Sequence, residues 1–200
     1  SLGATELEHS TIALDGDRRP SARPAFGGQD AAGEPGAGFE HLHQRQLCSV
    51  HAEMEAYVIA DLIEQNVERM ALLETLESGK PISQSRGEVS GSADLWRYAA
   101  ALARTIHGDS HNTLGSDMLG VILKEPAGVV SVITPWNFPF WILSQKLPFA
   151  LAAGCTCVVK PSEMTPSTTA ILGELLPQAG LPDGVVNIVL GYGQPVGALM

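Results

Sequence analysis

Residues Val129 to Glu163 read VVSVITPWNFPFWILSQKLPFALAAGCTCVVKPSE. The order is strand, loop, helix, strand, loop. Val129 to Thr134 is an apolar, β-branched run, and so is Cys155 to Lys160. Its continuity predicts parallel strands covered on both faces. Between them, Phe140 to Ala153 is helical in pattern, with Pro148 kinking or dividing the helix and Gly154 capping it. A parallel pair joined by a crossover helix delivers both following loops to one edge of a sheet, where α/β proteins bind ligands. Those loops carry Thr134-Pro135-Trp136-Asn137 and Lys160-Pro161-Ser162-Glu163.

The pattern continues toward the C-terminus. A helix is expected over Pro166 to Ala179, with Thr165 as N-cap and Pro166 at its first position. After the turn at Leu181 to Gly184 comes a third strand, Val185 to Leu190. Gly191-Tyr192-Gly193 is a tight loop, and Pro195 opens a further helix. The sum is β-α-β-α-β-(α). This is an α/β chain holding an incomplete doubly wound parallel (Rossmann-like) sheet, truncated at the C-terminus relative to the usual five or six strands. Such a sheet would leave an edge unpaired and open to association.

Toward the N-terminus, Met118 to Lys124 (MLGVILK) reads as a strand and residues 107–117 as turns, with His107 and His111 at the surface. Leu95, Tyr98, Ala99, Leu102 and Ile106 form a helical stripe within Val89 to Thr105. Trp96 there is a packing residue. Val50 to Ser78 is helical in period, through Val50, Met54, Val58, Leu62, Met70, Leu73 and Leu76. Gly79-Lys80-Pro81 ends it with a C-cap glycine and a proline. Residues 1–50 are rich in Gly and Pro and read as an irregular segment. His41, His43, Cys48 and His51 are close in sequence, but H-x-H-x4-C-x2-H fits no zinc pattern and no metal is assigned.

Net charge is −10 with no basic patch, which disfavours nucleic acid and anionic membranes as partners. No apolar run is long enough for a membrane helix, and the first residues lack the order of a signal peptide. Three cysteines form no disulfide framework, so a cytoplasmic setting is expected. Cys155 and Cys157 share one face of a buried strand and read as core.

The polar residues at the sheet edge carry the chemistry. A carboxylate just past the second strand, Glu163, suits a ribose diol and favours NAD over NADP. Lys160 suits ribose oxygens or phosphate; a weak surface pair of the two is the plain alternative. Gly191 to Gly197 is GxGxxxG between strand and helix, either a phosphate approach or a simple turn. Asn137, between two prolines, is either an oxyanion donor or a turn asparagine.

With TPWNFPF, KPSE, LPDGVVNIVLGYG and ALLETLESGKP (Ala71 to Pro81) together, the chain resembles the aldehyde dehydrogenase superfamily from about Glu125 to Met200. Residues 82–124 fit more loosely, and residues 1–50 do not resemble the family. The resemblance implies oxidation of an aldehyde to a carboxylic acid with NAD, or NADP, through a cysteine thiohemiacetal and thioester. By motif, Asn137 matches the oxyanion-hole asparagine. Ile133, Thr134, Pro135 and Trp136 would line the cofactor. Lys160, Ser162 and Glu163 match the adenosine-ribose motif, and Gly193 and Gly197 would lie near pyrophosphate and adenine. Lys146 matches a supporting lysine. The family's glutamate base and nucleophilic cysteine have no counterpart here. Residues 51–200 are then a partial dinucleotide-binding domain, with a strand arm near 112–125 through which a homodimer or homotetramer forms. The alternatives are a non-catalytic remnant that at most binds nucleotide or a partner subunit, and a related acyl-CoA-forming or semialdehyde dehydrogenase.

Overall fold

The computed structural model describes residues 9–15 and 55–200. His41, His43, Cys48 and His51, to which no metal is assigned, lie outside the described residues, as does the helical start at Val50.

Two helices follow the strand at His9–Asp15, α1 over residues 55–65 and α2 over Val67–Ser78. Asn66 divides them: its N–H donates to the Ile63 carbonyl and its side-chain amide to the Leu62 carbonyl. Gly79 ends α2 at φ 74°, a left-handed conformation that glycine adopts without a Cβ clash. The buried face differs from the expected stripe. Ala56, Ile59, Ala60, Ile63, Met70 and Ala71 are buried, whereas Val58 and Leu76 are exposed. Small residues let the helices approach closely, so packing follows alanine as well as the large apolar side chains.

The next helix, α3 (Ile82–Ala103), starts directly after Pro81, earlier than the expected Val89. Its buried positions are Ser85, Val89, Ser92, Ala93, Trp96, Ala99, Ala100 and Ala103. Tyr98 and Ile106, expected on the packed stripe, are exposed. Trp96 is fully buried, as a packing residue should be, and its indole N–H donates to Ser144 Oγ at 3.3 Å.

An antiparallel sheet comes next. Its strands are β1 (His9–Asp15), β2 (Asp109–His111) and β3 (Met118–Lys124), in the order β1-β3-β2. The strand β1 corrects the expectation of an irregular 1–50 segment: His9 pairs with Lys124 and Asp15 with Met118. HSTIALD contains β-branched Thr11 and Ile12, and β3 offers it a partner that cannot be inferred from composition. Likewise β2 is a short strand where only turns are expected. His107 and His111 are exposed.

The parallel sheet is β4 (Val129–Ile133), β5 (Thr156–Lys160) and β6 (Val186–Ile188), ordered β4-β5-β6. Val129 pairs with Thr156 and Ile133 with Lys160; Cys157 pairs with Val186 and Val159 with Ile188. The first crossover is divided, as Pro148 requires, into α4 (Pro139–Ser144) and α5 (Leu147–Ala152). The second is α6 (Ser167–Leu175) with a 3-10 turn at Pro177–Ala179. Two right-handed crossovers advancing in the same direction put both connections on one face.

That face is the core. Val132, Cys157 and Val159 are buried beneath Phe140, Leu143, Leu147, Leu151 and Leu172. The other face is open: Val129 is 70% and Ile133 52% exposed, and Ser131 and Asn187 are exposed with them. The expectation of cover on both faces is therefore wrong for β4. Within this chain the apolar run of β4 is covered on one side only. The residues after β6 return across this open face. Ser131 Oγ donates to the Met200 carbonyl at 3.3 Å. The expected helix at Pro195 is only a 3-10 turn, Gly197–Leu199. Among the described residues no helix is long and apolar enough to cross a membrane.

Candidate functional site

The carboxyl ends of β4 and β5 meet as their sequence predicts. The Thr134 N–H donates to the Lys160 carbonyl at 3.1 Å, which locks the first residue after β4 to the last residue of β5. Thr134 is buried, and its Oγ1 is a buried polar atom without a hydrogen-bond partner. Lys160 is buried to its amine. Its Nζ donates to the Pro161 carbonyl at 3.1 Å and stands 3.7 Å from Glu163 Oε2. Glu163 itself is 43% exposed on its side chain, so its oxygens remain open to a ligand. Ser162 Oγ accepts from the Met164 N–H at 3.2 Å, forming the turn that carries Glu163 outward.

Gly197 closes over the same lysine. A Cβ added there would stand 3.7 Å from Lys160 Cδ and Cε. Gly193 has open space around it and makes no part of this contact. The glycine at Gly191 is the constrained one: at φ 151° any added Cβ would come within 2.6 Å of Val196.

Along the same edge, Ile133 and Trp136 are half exposed, and Pro135 and Asn137 are exposed. Asn137 sits in the bend between β4 and α4, where the Phe138 carbonyl accepts the Ile142 N–H at 2.9 Å. Lys146 lies half buried at the junction of α4 and α5. Ile133, Thr134, Lys160, Glu163 and Gly197 thus form one compact group, and Trp136 with Asn137 forms the end beyond it.

The two described cysteines are not part of this edge. Both are buried in the core. Burial pushes the Cys157 thiol up to about 12, with Cys155 beside it adding to the shift. A group so held stays a thiol at neutral pH, and a thiol is a poor nucleophile. An apolar cavity of about 100 Å³ lies beside Cys155, Trp96, Leu151 and Ile59, at the amino ends of the strands. Five strand residues, about 15 Å, separate that end from Lys160. Among the described residues no cluster of three metal-ligating side chains occurs.

Sequence reasoning misses one group altogether. Lys80, read there only as part of a helix stop, is a buried hub. Its Nζ binds Glu74 Oε1 at 2.8 Å and Glu88 Oε2 at 2.5 Å, and lies 4.8 Å from the centroid of the Phe138 ring. Burial pushes the Glu74 carboxyl up; Lys80 opposes this and Glu88 adds to it, leaving Glu74 at about 7. Burial pulls the Lys80 ammonium down, but its two carboxylates outweigh it and the net shift is upward. The signal available in sequence is Glu74 and Lys80 flanking a glycine stop, a combination too common to single out. A second missed contact concerns α6. Thr165, the expected N-cap, is buried with an unpartnered hydroxyl. The carboxylate of Glu77, from α2, instead accepts the Ser167 N–H and hydroxyl.

Residues 53–200 match the sequence model of the Aldehyde dehydrogenase family. Mitochondrial succinate-semialdehyde dehydrogenase of Rattus norvegicus is 46% identical over 129 residues, covering 64% of this chain and 25% of that protein. The NAD-dependent aldehyde dehydrogenase of Sinorhizobium meliloti superposes with a TM-score of 0.73 at 52% identity, over 76% of this chain and 30% of that one. Betaine aldehyde dehydrogenase of Staphylococcus aureus, in complex with NAD+, gives a TM-score of 0.75 at 38% identity, over 82% and 33%. The chain therefore spans a quarter to a third of the length of the relatives it matches.

Proposed function

Since the chain belongs to the aldehyde dehydrogenase family, we propose that it supplies the adenosine-side cofactor contacts and one oxyanion donor for NAD-dependent oxidation of an aldehyde to a carboxylic acid. The observation that carries this is the pairing of Lys160 and Glu163 at the carboxyl edge, 3.7 Å apart, one buried and one open. The residues present fit a dinucleotide at its adenosine end. The Glu163 carboxylate can accept both hydroxyls of a ribose diol and would repel a 2′-phosphate. Lys160 donates from beside it, and the unpartnered Thr134 hydroxyl is a polar atom awaiting a partner in the same place. Bound there, the dinucleotide is the acceptor of a hydride. Ile133 and Trp136 would offer apolar cover, and Gly197 leaves room beside the lysine stem. Ser162 holds the turn, and Gly193 contributes an unobstructed backbone.

Asn137 performs the chemistry that this chain contains. An amide N–H aimed at a carbonyl oxygen stabilises the charge that develops on attack, by about 3 kcal/mol where such donors have been removed. Lys146 would support that end from the α4–α5 junction. The attacking thiolate is neither Cys155 nor Cys157, because both are enclosed and Cys157 is held far toward the thiol. Taken alone, this chain binds nucleotide without turning over aldehyde. The curated relatives' names make a semialdehyde the substrate class to assay first. The β1-β3-β2 ribbon, with Met118, Leu119 and Leu123 exposed, is the surface offered to a second subunit.

Calorimetric titration tests the reading. NAD should bind, NADP should bind more weakly, and Glu163→Ser should lower NAD affinity about tenfold while narrowing the difference between the two. Tighter binding of NADP, or no binding of either, overturns it.

A further inference from the structure

We infer that Lys80 is a positioning residue for Asn137, acting through the face of the Phe138 ring. This rests on the oxyanion reading of Asn137 and adds how that side chain is held. Asn137 is exposed in an irregular bend, where nothing in its own side chain's burial fixes it. The next residue, by contrast, is anchored. The Phe138 carbonyl accepts from Ile142 at the start of α4, and the Phe138 ring lies against the Lys80 ammonium, 4.8 Å from its centroid. An ammonium at that distance is attracted by the negative face of an aromatic ring, and the attraction grows as water is excluded.

The ammonium is itself immobile. Its side chain is 9% exposed, Glu74 is fully buried, and Glu88 is nearly so. Glu74 comes from α2, Lys80 from the connection after it and Glu88 from α3, so the triad welds the α2–α3 corner. Around it the corner is further tied by Thr75 to Ser85 at 2.8 Å and by Ser78 Oγ to the Glu74 carbonyl. A buried triad of this kind adds little net stability against an apolar substitute, but it specifies geometry. Here the geometry it specifies includes the ring one residue beyond Asn137. Pro135 and Pro139 restrict the backbone on both sides of the bend. Lys80 adds the contact that selects where the bend sits against the helices.

The test reads the Asn137 side chain and not turnover. The sequence has four asparagines, Asn66, Asn112, Asn137 and Asn187, so selective 15N labelling gives four side-chain amide pairs, with Asn137 assigned from its loss in Asn137→Asp. In Lys80→Met the Asn137 amide should shift and its order parameter fall below about 0.6, the flexible range, while Asn187 keeps its values. Lys80→Arg should restore the amide's order. Phe138→Leu keeps the triad and removes the ring, so it should free Asn137 with the melting temperature held near that of the parent chain. This second variant decides the matter if Lys80→Met does not fold. An Asn137 amide unchanged in Phe138→Leu, or already mobile in the parent chain, overturns the inference. Because no turnover is measured, the result stands apart from the oxyanion assignment, which fails separately if Asn137→Ala leaves the oxidation rate of the catalytically complete enzyme unchanged.

Discussion

The two faces of strand β4 both carry β-branched apolar side chains and have opposite fates. Val132 and Val159, on one face, are sealed by α3 to α6; Val129 and Ile133, on the other, meet solvent over more than half their surface. Ser131, Thr156, Lys160 and Asn187 add polar groups to the open face, yet Val129 and Ile133 are as apolar as Val132 and Val159. The difference lies in the direction of the crossovers, which sends every connecting helix to one side. The core of this chain is therefore one-sided. The ligand edge sits where the buried face ends, with Lys160 reaching toward the open face under Gly197.

Substitutions on each face put that contrast at risk. The largest effect is expected for Phe140→Ala on the covered side, where the ring is fully buried. Losing it should cost about 3–5 kcal/mol in urea unfolding, from lost transfer free energy and an unfilled cavity. A loss below about 1 kcal/mol would mean that the covered face is not the core.

A charge held on the covered side gives the next effect. Glu74 has its carboxyl raised from an ordinary 4.5 to about 7. The folded state thus binds a proton that the unfolded state has already released, and this favours folding. The contribution is complete below pH 4.5 and is lost as pH rises through about 7. At about 1.4 kcal/mol per pKa unit, it is on the order of 3 kcal/mol at most. Unfolding free energy measured from pH 5 to 8 should fall, and Glu74→Gln should flatten the fall. A rise in stability over that window attributable to Glu74 would reverse the sign and refute the burial argument.

The smallest effect belongs to the open face. Val129→Thr keeps a β-branched side chain at an exposed position and should change stability by no more than about 0.5 kcal/mol. A loss near that of Phe140→Ala would show that the open face is covered in solution, and the contrast between the faces would collapse.

Much of this arrangement is legible in the amino-acid sequence. The two apolar runs, the prolines at 135, 139 and 148, and Gly79 are local signals, because φ restrictions and β-propensity act within a few residues. They place β4, β5, the divided crossover and the loops that carry Asn137, Lys160 and Glu163. The failures share one cause. Periodicity assigns Tyr98 and Leu76 to packed stripes because they are large and apolar, while Ala93, Ala100 and Ser92 form the real contact surface of the helices. Small residues are chosen by the partner helix, which a periodicity does not contain. Thr165 is the expected cap of α6, yet the cap is Glu77, ninety positions before Ser167 in the chain. The hub at Lys80 joins α2, α3 and the Asn137 bend for the same reason: its members are close only after the helices have docked.

Short-range preferences and motifs continuous in the chain are enough to establish the parallel strands, the edge at which polar residues gather and the family to which that edge belongs. Tertiary packing alone settles which face of the sheet is covered, that His9–Asp15 pairs with Met118–Lys124, and that a buried lysine stands beneath the ring next to Asn137. Those outcomes depend on which surfaces meet, and long-range contact is the one quantity that a local pattern cannot encode.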